Sequence, residues 1–469
     1  MNWIQSTFGK YFNAALFRNA FILWFLLLPF DSNVLPVSLG VMTVYPFLLL
    51  TFFLLGYSFL AQPQEVFSKM HKATILFFFF WLAYGLAYFP FVHDKKIAFY
   101  EIRSLILMAT CIWLLFRARY LLGLRSFFEL LHQLATFLFI VLTVAAFFEF
   151  FTGIHFQGFF TEKLWNLPSS LTTYSPVLLY DNPNTALCYL LGIAILIFLA
   201  SPQSENSSWK NLTIIIILFF FSVMTDSKFG KISCYILTTA WLIGFAWTYK
   251  NRLEKKYLWW ASATFLFITI CIVSKPLYYG PLWKDSEHYV IPSITPVSID
   301  YDRLYFYSQD SLVKRFGEQK VIKSFREYQM RGTDWGINIR KNLLRNGWYL
   351  FKQSKFLGVG PAQFMWYHAE KQVPYPTTTV TNPHNYVMEI LSQYGLPVFI
   401  PFMLIFIFSW ITAFKGIKNN IYYFYSFVIC TFILFIISNM PSSFLILNIG
   451  WVLIAVSLLA PSQLEEKNA

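Results

Sequence analysis

Charge is what this chain has least of. Only 13% of its 469 residues are Asp, Glu, Lys or Arg, about half the share found in an ordinary soluble domain, while 57% are hydrophobic. That balance excludes a soluble globule. Cysteine is scarce as well: Cys111, Cys188, Cys234, Cys271 and Cys430 all lie in or beside apolar runs, so no disulfide framework or metal knuckle can be read from them. The HExxH, Walker A, GxSxG and paired CxxC patterns are missing, which argues against a zinc protease, an ATP-driven pump and a serine hydrolase. Asp300 and Asp302 form a DxD triplet, but three-residue matches arise by chance and no metal site is predicted. No internal repeat is visible, and inverted-repeat transporter symmetry therefore has no support.

Apolar length is abundant instead. Runs such as residues 73–92 reach the ~20 residues that a helix needs to cross ~30 Å of hydrocarbon, and they are apolar on every side, unlike the alternating strands of a membrane barrel. The pattern predicts an all-α polytopic membrane protein with about twelve spans, near 14–30, 41–60, 73–92, 97–116, 130–152, 183–200, 211–225, 229–248, 257–274, 385–412, 421–438 and 442–460. Met1 to Arg18 lack a small-residue cleavage signature, so the first span is expected to be retained.

A net charge of +13 suggests nucleic acid only when the charges share one solvated face, and here they are dispersed. Fifteen Lys and Arg fall in the short segments of one side and five in those of the other, which orients both termini to the cytoplasm. Another fifteen, against nine Asp and Glu, occupy residues 275–384, an outer loop between spans nine and ten. The predicted organisation is a bundle over 1–274, that loop over 275–384, and the last three spans over 385–469. Within the loop, 337–355 reads as a helix in which Ile337, Ile339, Leu343, Trp348 and Leu350 interleave with Arg340, Lys341, Arg345, Lys352 and Lys355. It suits a membrane surface or one wall of a small outer subdomain.

Three helix starts face the outer side. In 381–400, Asn382 is a candidate N-cap with Pro383 at the first helical position, placing His384 in the first turn, where the helix dipole would keep its imidazole neutral and able to act as a base. Asn182 and Pro183 repeat the pattern, with Asn184 in the first turn. At the third start Asp226 or Ser227 can cap a helix that carries Lys228 and Lys231. Converging, these ends would hold a phosphate group; apart, the lysines are interfacial anchors. Glu101 and Arg103 lie inside span four, where ionisable groups are costly, yet two residues apart they point to different faces. Arg103 then needs another anion, a lipid phosphate or a substrate diphosphate. Glu389, in the second turn of span ten, could pair with one of these cations.

Arg340, Gly358-Val359-Gly360, Phe364, His384-Asn385 and Gly395, in that order, resemble the O-antigen ligase and polymerase superfamily. Asn182-Pro183-Asn184 and Ser227-Lys228 extend the resemblance, with Lys228 where relatives often carry Arg and Val398 at the last glycine position. The resemblance implies a GT-C-like, metal-independent, inverting glycosyltransferase without cofactor at the outer face of a bacterial inner membrane. It would move a glycan from undecaprenyl diphosphate to a sugar hydroxyl, either of a lipid A core or of a growing glycan. On that resemblance His384 is the base and Arg340 steadies the leaving diphosphate. Lys228, Lys231, Arg103, Asn184, Asn385 and Glu389 are candidate binding residues, and Gly358, Gly360 and Gly395 are structural. Membrane lipids are the other partners, and a lipid-linked oligosaccharide flippase is the alternative from another class.

Overall fold

The computed structural model of the chain describes residues 12–30, 37–39, 42–44, 46–61, 69–152, 178, 183–200, 205–225, 228–249, 335–375, 377, 381–416, 427, 428, 430, 431, 443, 445 and 447–459. Most of these residues are helical, with one short hairpin and connecting turns. Asn13 caps α1 (Ala14–Leu26) by accepting from the N–H groups of Ala15 and Leu16 at 2.9 and 3.1 Å. The hairpin strands β1 (Val37–Leu39) and β2 (Met42–Val44) are antiparallel, with Val37 opposite Val44. Then come α2 (Pro46–Leu60), α3 (Lys69–Tyr88), α4 (Lys95–Leu122), α5 (Leu124–Thr152), α6 (Pro183–Ala200), α7 (Glu205–Met224) and α8 (Lys228–Tyr249). Further on lie α9 (Trp335–Gln353), α10 (Gln363–Ala369), α11 (Tyr386–Gly416) and α12 (Asn448–Leu459).

Among the described residues, four helices are long and apolar enough to cross a membrane: Lys72–Phe91, Lys95–Leu122, Arg125–Phe151 and Tyr386–Gly416. α1, α2, α12 and the apolar parts of α6 and α7 are shorter. The predicted span at 257–274 lies outside the described residues, and that at 421–438 is described only at four positions. The helix predicted over 337–355 is present as α9. Span five was expected to start at 130; the helix starts earlier, at Leu124, because the polar turn-forming residue Gly123 (φ 76°) ends α4 directly before it.

The bundle has an inside and an outside. Every residue of α12 is buried, as are Ala186 to Phe198 of α6, and Gly192 lets the two helices close up: a Cβ there would sit 2.6 Å from Ile449 Cγ1. Outer helices instead expose large apolar side chains at helical spacing, such as Leu76, Phe79 and Phe80 on α3, Phe137, Ile140, Val141 and Val144 on α5, and Leu404, Ile407, Phe408 and Ile411 on α11. Water would not tolerate such stripes, whereas lipid does. On the opposite side from the α3–α4 turn, Arg117 reaches the end of α2 and donates to the carbonyls of Ala61 (2.8 Å) and Ser58 (3.4 Å). One of the basic residues expected to orient the spans therefore also caps a helix.

Candidate functional site

α11 cannot run straight. Pro397 has no N–H to offer the carbonyl of Gln393 four residues back, and Gly395 adopts φ 64°, ψ −165°, which turns Leu396 N–H away from the carbonyl of Ser392. Two carbonyls and one N–H lose their helical partners, and the segment after α9 replaces all three. Val359 N–H donates to Ser392 O (2.8 Å), Gly360 N–H donates to Gln393 O (2.9 Å), and Leu396 N–H donates to Phe356 O (2.9 Å). The backbones meet at strand-like range because two glycines face each other's chain. A Cβ on Gly358 (φ 87°) would fall 2.4 Å from Gln393 O, and one on Gly395 would fall 2.3 Å from Phe356 O. Gly360 makes room for Val92, whose Cγ1 would be 2.9 Å from an added Cβ.

A buried carboxylate stands at this junction. Glu101, in the second turn of α4, accepts from Tyr394 Oη at 2.5 Å, with the Gln393 side chain and the Ala362 N–H close by. Tyr394 is fully enclosed, with its ring edge-on to Trp81 (centroids 5.5 Å apart) and Gly85 of α3 beneath it. Gln363 ties the same loop to the α3–α4 turn: its Oε1 accepts from His93 N–H (3.0 Å), and its Nε2 donates to Pro361 O (3.2 Å). His93 in turn stacks on Trp366 with ring centroids 4.0 Å apart, and Tyr84 Oη donates to Leu357 O (2.8 Å). Sequence reasoning singled out Glu101 as an ionisable group in a span but missed Tyr394, Gln393 and Gln363. Uncharged polar residues in an apolar run carry little signal on their own.

His384 lies just before α11, not in its first turn. The helix begins at Tyr386, and Asn385 is its cap: Asn385 Oδ1 accepts from Met388 N–H and Asn385 O from Glu389 N–H, each at 2.9 Å. This corrects the expected cap at Asn382. Pro383 falls outside the helix because His384 takes a left-handed conformation (φ 49°) between it and the cap, which breaks the run. His384 is half-buried, still at the positive end of the helix. Glu389, buried in the first turn, accepts a hydrogen bond from Ser443 Oγ.

Arg340 is half-buried on α9, which runs alongside the first half of α11 in the same direction. Gly347 sets the register, since a Cβ there would lie 3.2 Å from Met388 Cβ, and Phe356 follows at Leu396. Arg340 precedes Gly347 by two turns, about 10 Å along the same stripe, and His384 precedes Met388 by four residues. The register thus carries Arg340 to the end of α11 where His384 stands. Arg103, half-buried on α4, lies over the Tyr100 ring at 5.2 Å. It faces away from Glu101, as their two-residue spacing requires.

The remaining candidates lie elsewhere. Asn184 is the second residue of α6, Lys228 the first of α8, and Lys231 is half-buried one turn later. Those helices pack on α5, α7, α12 and each other, whereas α9, α10 and α11 pack together and with α3. Among the described residues, the more extensive packing joins α5 to α6, α7 to α8 and α9 to α11.

A second polar network, absent from the sequence reading, braces the loop side. His368 Nδ1–H donates to Phe364 O (2.8 Å), and its Nε2 accepts from Asn346 Nδ2 (3.0 Å). Asn346 also donates to Tyr375 O (2.8 Å) and accepts from Tyr375 N–H (3.0 Å). Burial pushes the His368 imidazole down to about 4, so it is neutral and structural. The exposed face of α9 carries Leu344, Trp348 and Tyr349 among Lys341, Arg345 and Lys352. Its other face, with Ile339, Leu343 and Leu350, packs inward with Phe364. One face of this amphipathic helix is thus exposed and the other packed.

Residues 212–403 match the O-antigen ligase family. The matched stretch contains Arg340, Gly358, Gly360, His384, Asn385, Glu389, Gly395, Lys228 and Lys231. Teichuronic acid biosynthesis protein TuaE of Bacillus subtilis (strain 168) is 29% identical over 126 residues, a stretch covering 26% of this chain and 26% of that protein. The chain thus aligns with about a quarter of the length of the curated relative it matches.

Proposed function

We propose that this polytopic protein is a membrane glycosyltransferase that moves a glycan from a polyprenyl diphosphate, undecaprenyl diphosphate in bacteria, to a sugar hydroxyl at the outer face of the inner membrane, as an O-antigen ligase does. The observation that carries the reading is that the family match encloses His384 and Arg340, and the pairing of α9 with the first half of α11 supports it. His384 takes the proton of the acceptor hydroxyl as its oxygen bonds to the anomeric carbon, on the face opposite the breaking carbon–oxygen bond to diphosphate. Arg340 then offsets the charge gathering on the departing diphosphate, with Arg103, Lys228 and Lys231 as further cations and Asn184 as a polar contact. No metal or cofactor is required by this chemistry. Both termini are cytoplasmic in this reading, and the acceptor is a lipid A core sugar.

A repeat-unit polymerase is the second reading, favoured by a relative named for teichuronic acid biosynthesis and not for ligation. A flippase fits less well. Among the described residues the buried charged side chains Glu101, Arg117, Arg119, Glu149 and Glu389 all lie within two turns of a helix end, whereas transporters concentrate such groups at mid-membrane. Deleting the gene and analysing the lipid-linked material that accumulates separates the readings. Long chains on the carrier indicate a missing ligase and single repeat units a missing polymerase. Material retained on the inner leaflet would instead overturn the enzyme reading in favour of transport.

A further inference from the structure

Glu101 touches neither the GxG segment's family motif nor any residue given a chemical role above, yet it is where three separate stretches of chain meet. Its carboxyl is buried at 7% exposure and accepts a hydrogen bond from Tyr394 of the α11 kink, with the Gln393 side chain and the Ala362 N–H of the loop that completes that kink close by. Ala362 has φ 56° and directly precedes α10, beside the Glu101 carboxyl. The two sides of the junction are joined by main-chain hydrogen bonds at Val359–Ser392, Gly360–Gln393 and Leu396–Phe356. Such backbone pairs hold two segments together but do not fix where the pair sits in the bundle. Tyr84 and Gln363 tie the loop side to α3 and the α3–α4 turn, and Glu101 ties the α11 side to α4, which is held in the core by Leu105, Met108, Ile112 and Leu115.

We propose that Glu101 is a positioning residue: it anchors the Gly395 kink and the 356–362 loop to α4 and thereby sets the placement of the first half of α11, with His384 at its tip. This rests on the functional reading above for the consequence at His384, but not for the anchoring itself. The lever is short, since Tyr394 lies about two turns from the helix start at Tyr386. Tilting that half-helix by ten degrees moves its tip by roughly 2 Å, which is enough to spoil proton transfer over hydrogen-bond range.

The test uses the full chain in membrane vesicles carrying the cell's own lipid-linked glycan and acceptor, comparing Glu101→Gln, Glu101→Ala, Tyr394→Phe and His384→Ala. Hydrogen exchange at the amides of Val359, Gly360, Ala362 and Leu396 reads the anchoring directly. The maximal rate and the half-saturating donor concentration read its consequence. The expected result is exchange at least 10-fold faster in Glu101→Ala and Tyr394→Phe, a maximal rate 10- to 100-fold lower, a half-saturating concentration within 3-fold of the parent, and partial rescue by Glu101→Gln. A Glu101→Ala and His384→Ala double variant should be no slower than His384→Ala alone. Unchanged exchange in Glu101→Ala overturns the anchoring. Faster exchange with a full transfer rate overturns the link to His384, as does a loss confined to half-saturation. Full activity in His384→Ala would sink the functional reading separately, with the exchange result still deciding whether Glu101 anchors the kink.

Discussion

Gly358 and Gly395 each stand against the other's backbone. The first lies under the carbonyl of Gln393 and the second under that of Phe356, and an added Cβ on either would come within 2.4 Å of a backbone atom. Replacing Gly395 with Ala should destabilise the protein by at least about 2 kcal/mol, because its φ, ψ region is open essentially to glycine alone and the clash is with main chain that cannot rotate aside. Gly358→Ala should behave similarly. Thermal unfolding in detergent or nanodiscs checks both, and a melting temperature equal to the parent's would refute the interlocked kink.

Removing the imidazole of His384 should lower glycan transfer by about 10²- to 10⁴-fold with normal membrane insertion, the range for loss of a general base. Polysaccharide assembly in a deletion strain, with expression verified by immunoblot, measures it. Wild-type product from His384→Ala would end the proposed role.

Arg340→Lys should retain charge but lose the planar fork that grips two phosphate oxygens, leaving activity between the parent and Arg340→Ala. Truncation to Ala should cost about 10²- to 10³-fold. Transfer rates at saturating donor distinguish the two variants. Equal activity in all three would remove Arg340 from the chemistry.

Asn385 separates a structural from a binding role. As the cap of α11 it should be replaced by Asp with little loss of stability, while Ala costs about 1 kcal/mol. If its side chain also contacts a diphosphate, Asn385→Asp should fold normally and yet transfer poorly, through repulsion of like charge. Melting temperature and transfer rate, measured together, give the answer.

His368 predicts a pH dependence of stability. Its folded value of about 4 lies below the ordinary histidine value of 6.5, so in between the unfolded chain binds the proton and the folded one does not. Stability contributed by the neutral imidazole is complete above 6.5 and declines as pH falls towards about 4, by roughly 3 kcal/mol in all. Melting temperature against pH should show that decline, and His368→Gln should flatten it over the same window.

Legibility varied with the kind of signal. Helices and their membrane character were readable because apolar length and the placement of few charges are local properties: α9 was expected over 337–355 and spans Trp335–Gln353. The motif glycines were readable as structural only through resemblance, which the match over residues 212–403 bears out. The start of α11 was misplaced, because Asn382-Pro383 and Asn385 are both acceptable caps by composition. The left-handed turn at His384 decides between them. Glu101 was noticed, but its partner Tyr394 lies 293 residues away in sequence, and nothing in an apolar run announces a tyrosine that will meet a carboxylate.

Sequence alone determined that this chain lives in a membrane and that its spans are helical. Those outcomes follow from the cost of unpaired backbone and buried charge in hydrocarbon, which acts residue by residue. Only tertiary structure decided that the broken hydrogen bonds at Pro397 and Gly395 are repaired by residues 356–360 and pinned by Glu101. Each repair needs donors and acceptors from distant segments to meet within about 3 Å. The scarcity of charge with which the chain begins is thus answered by where one buried carboxylate is placed.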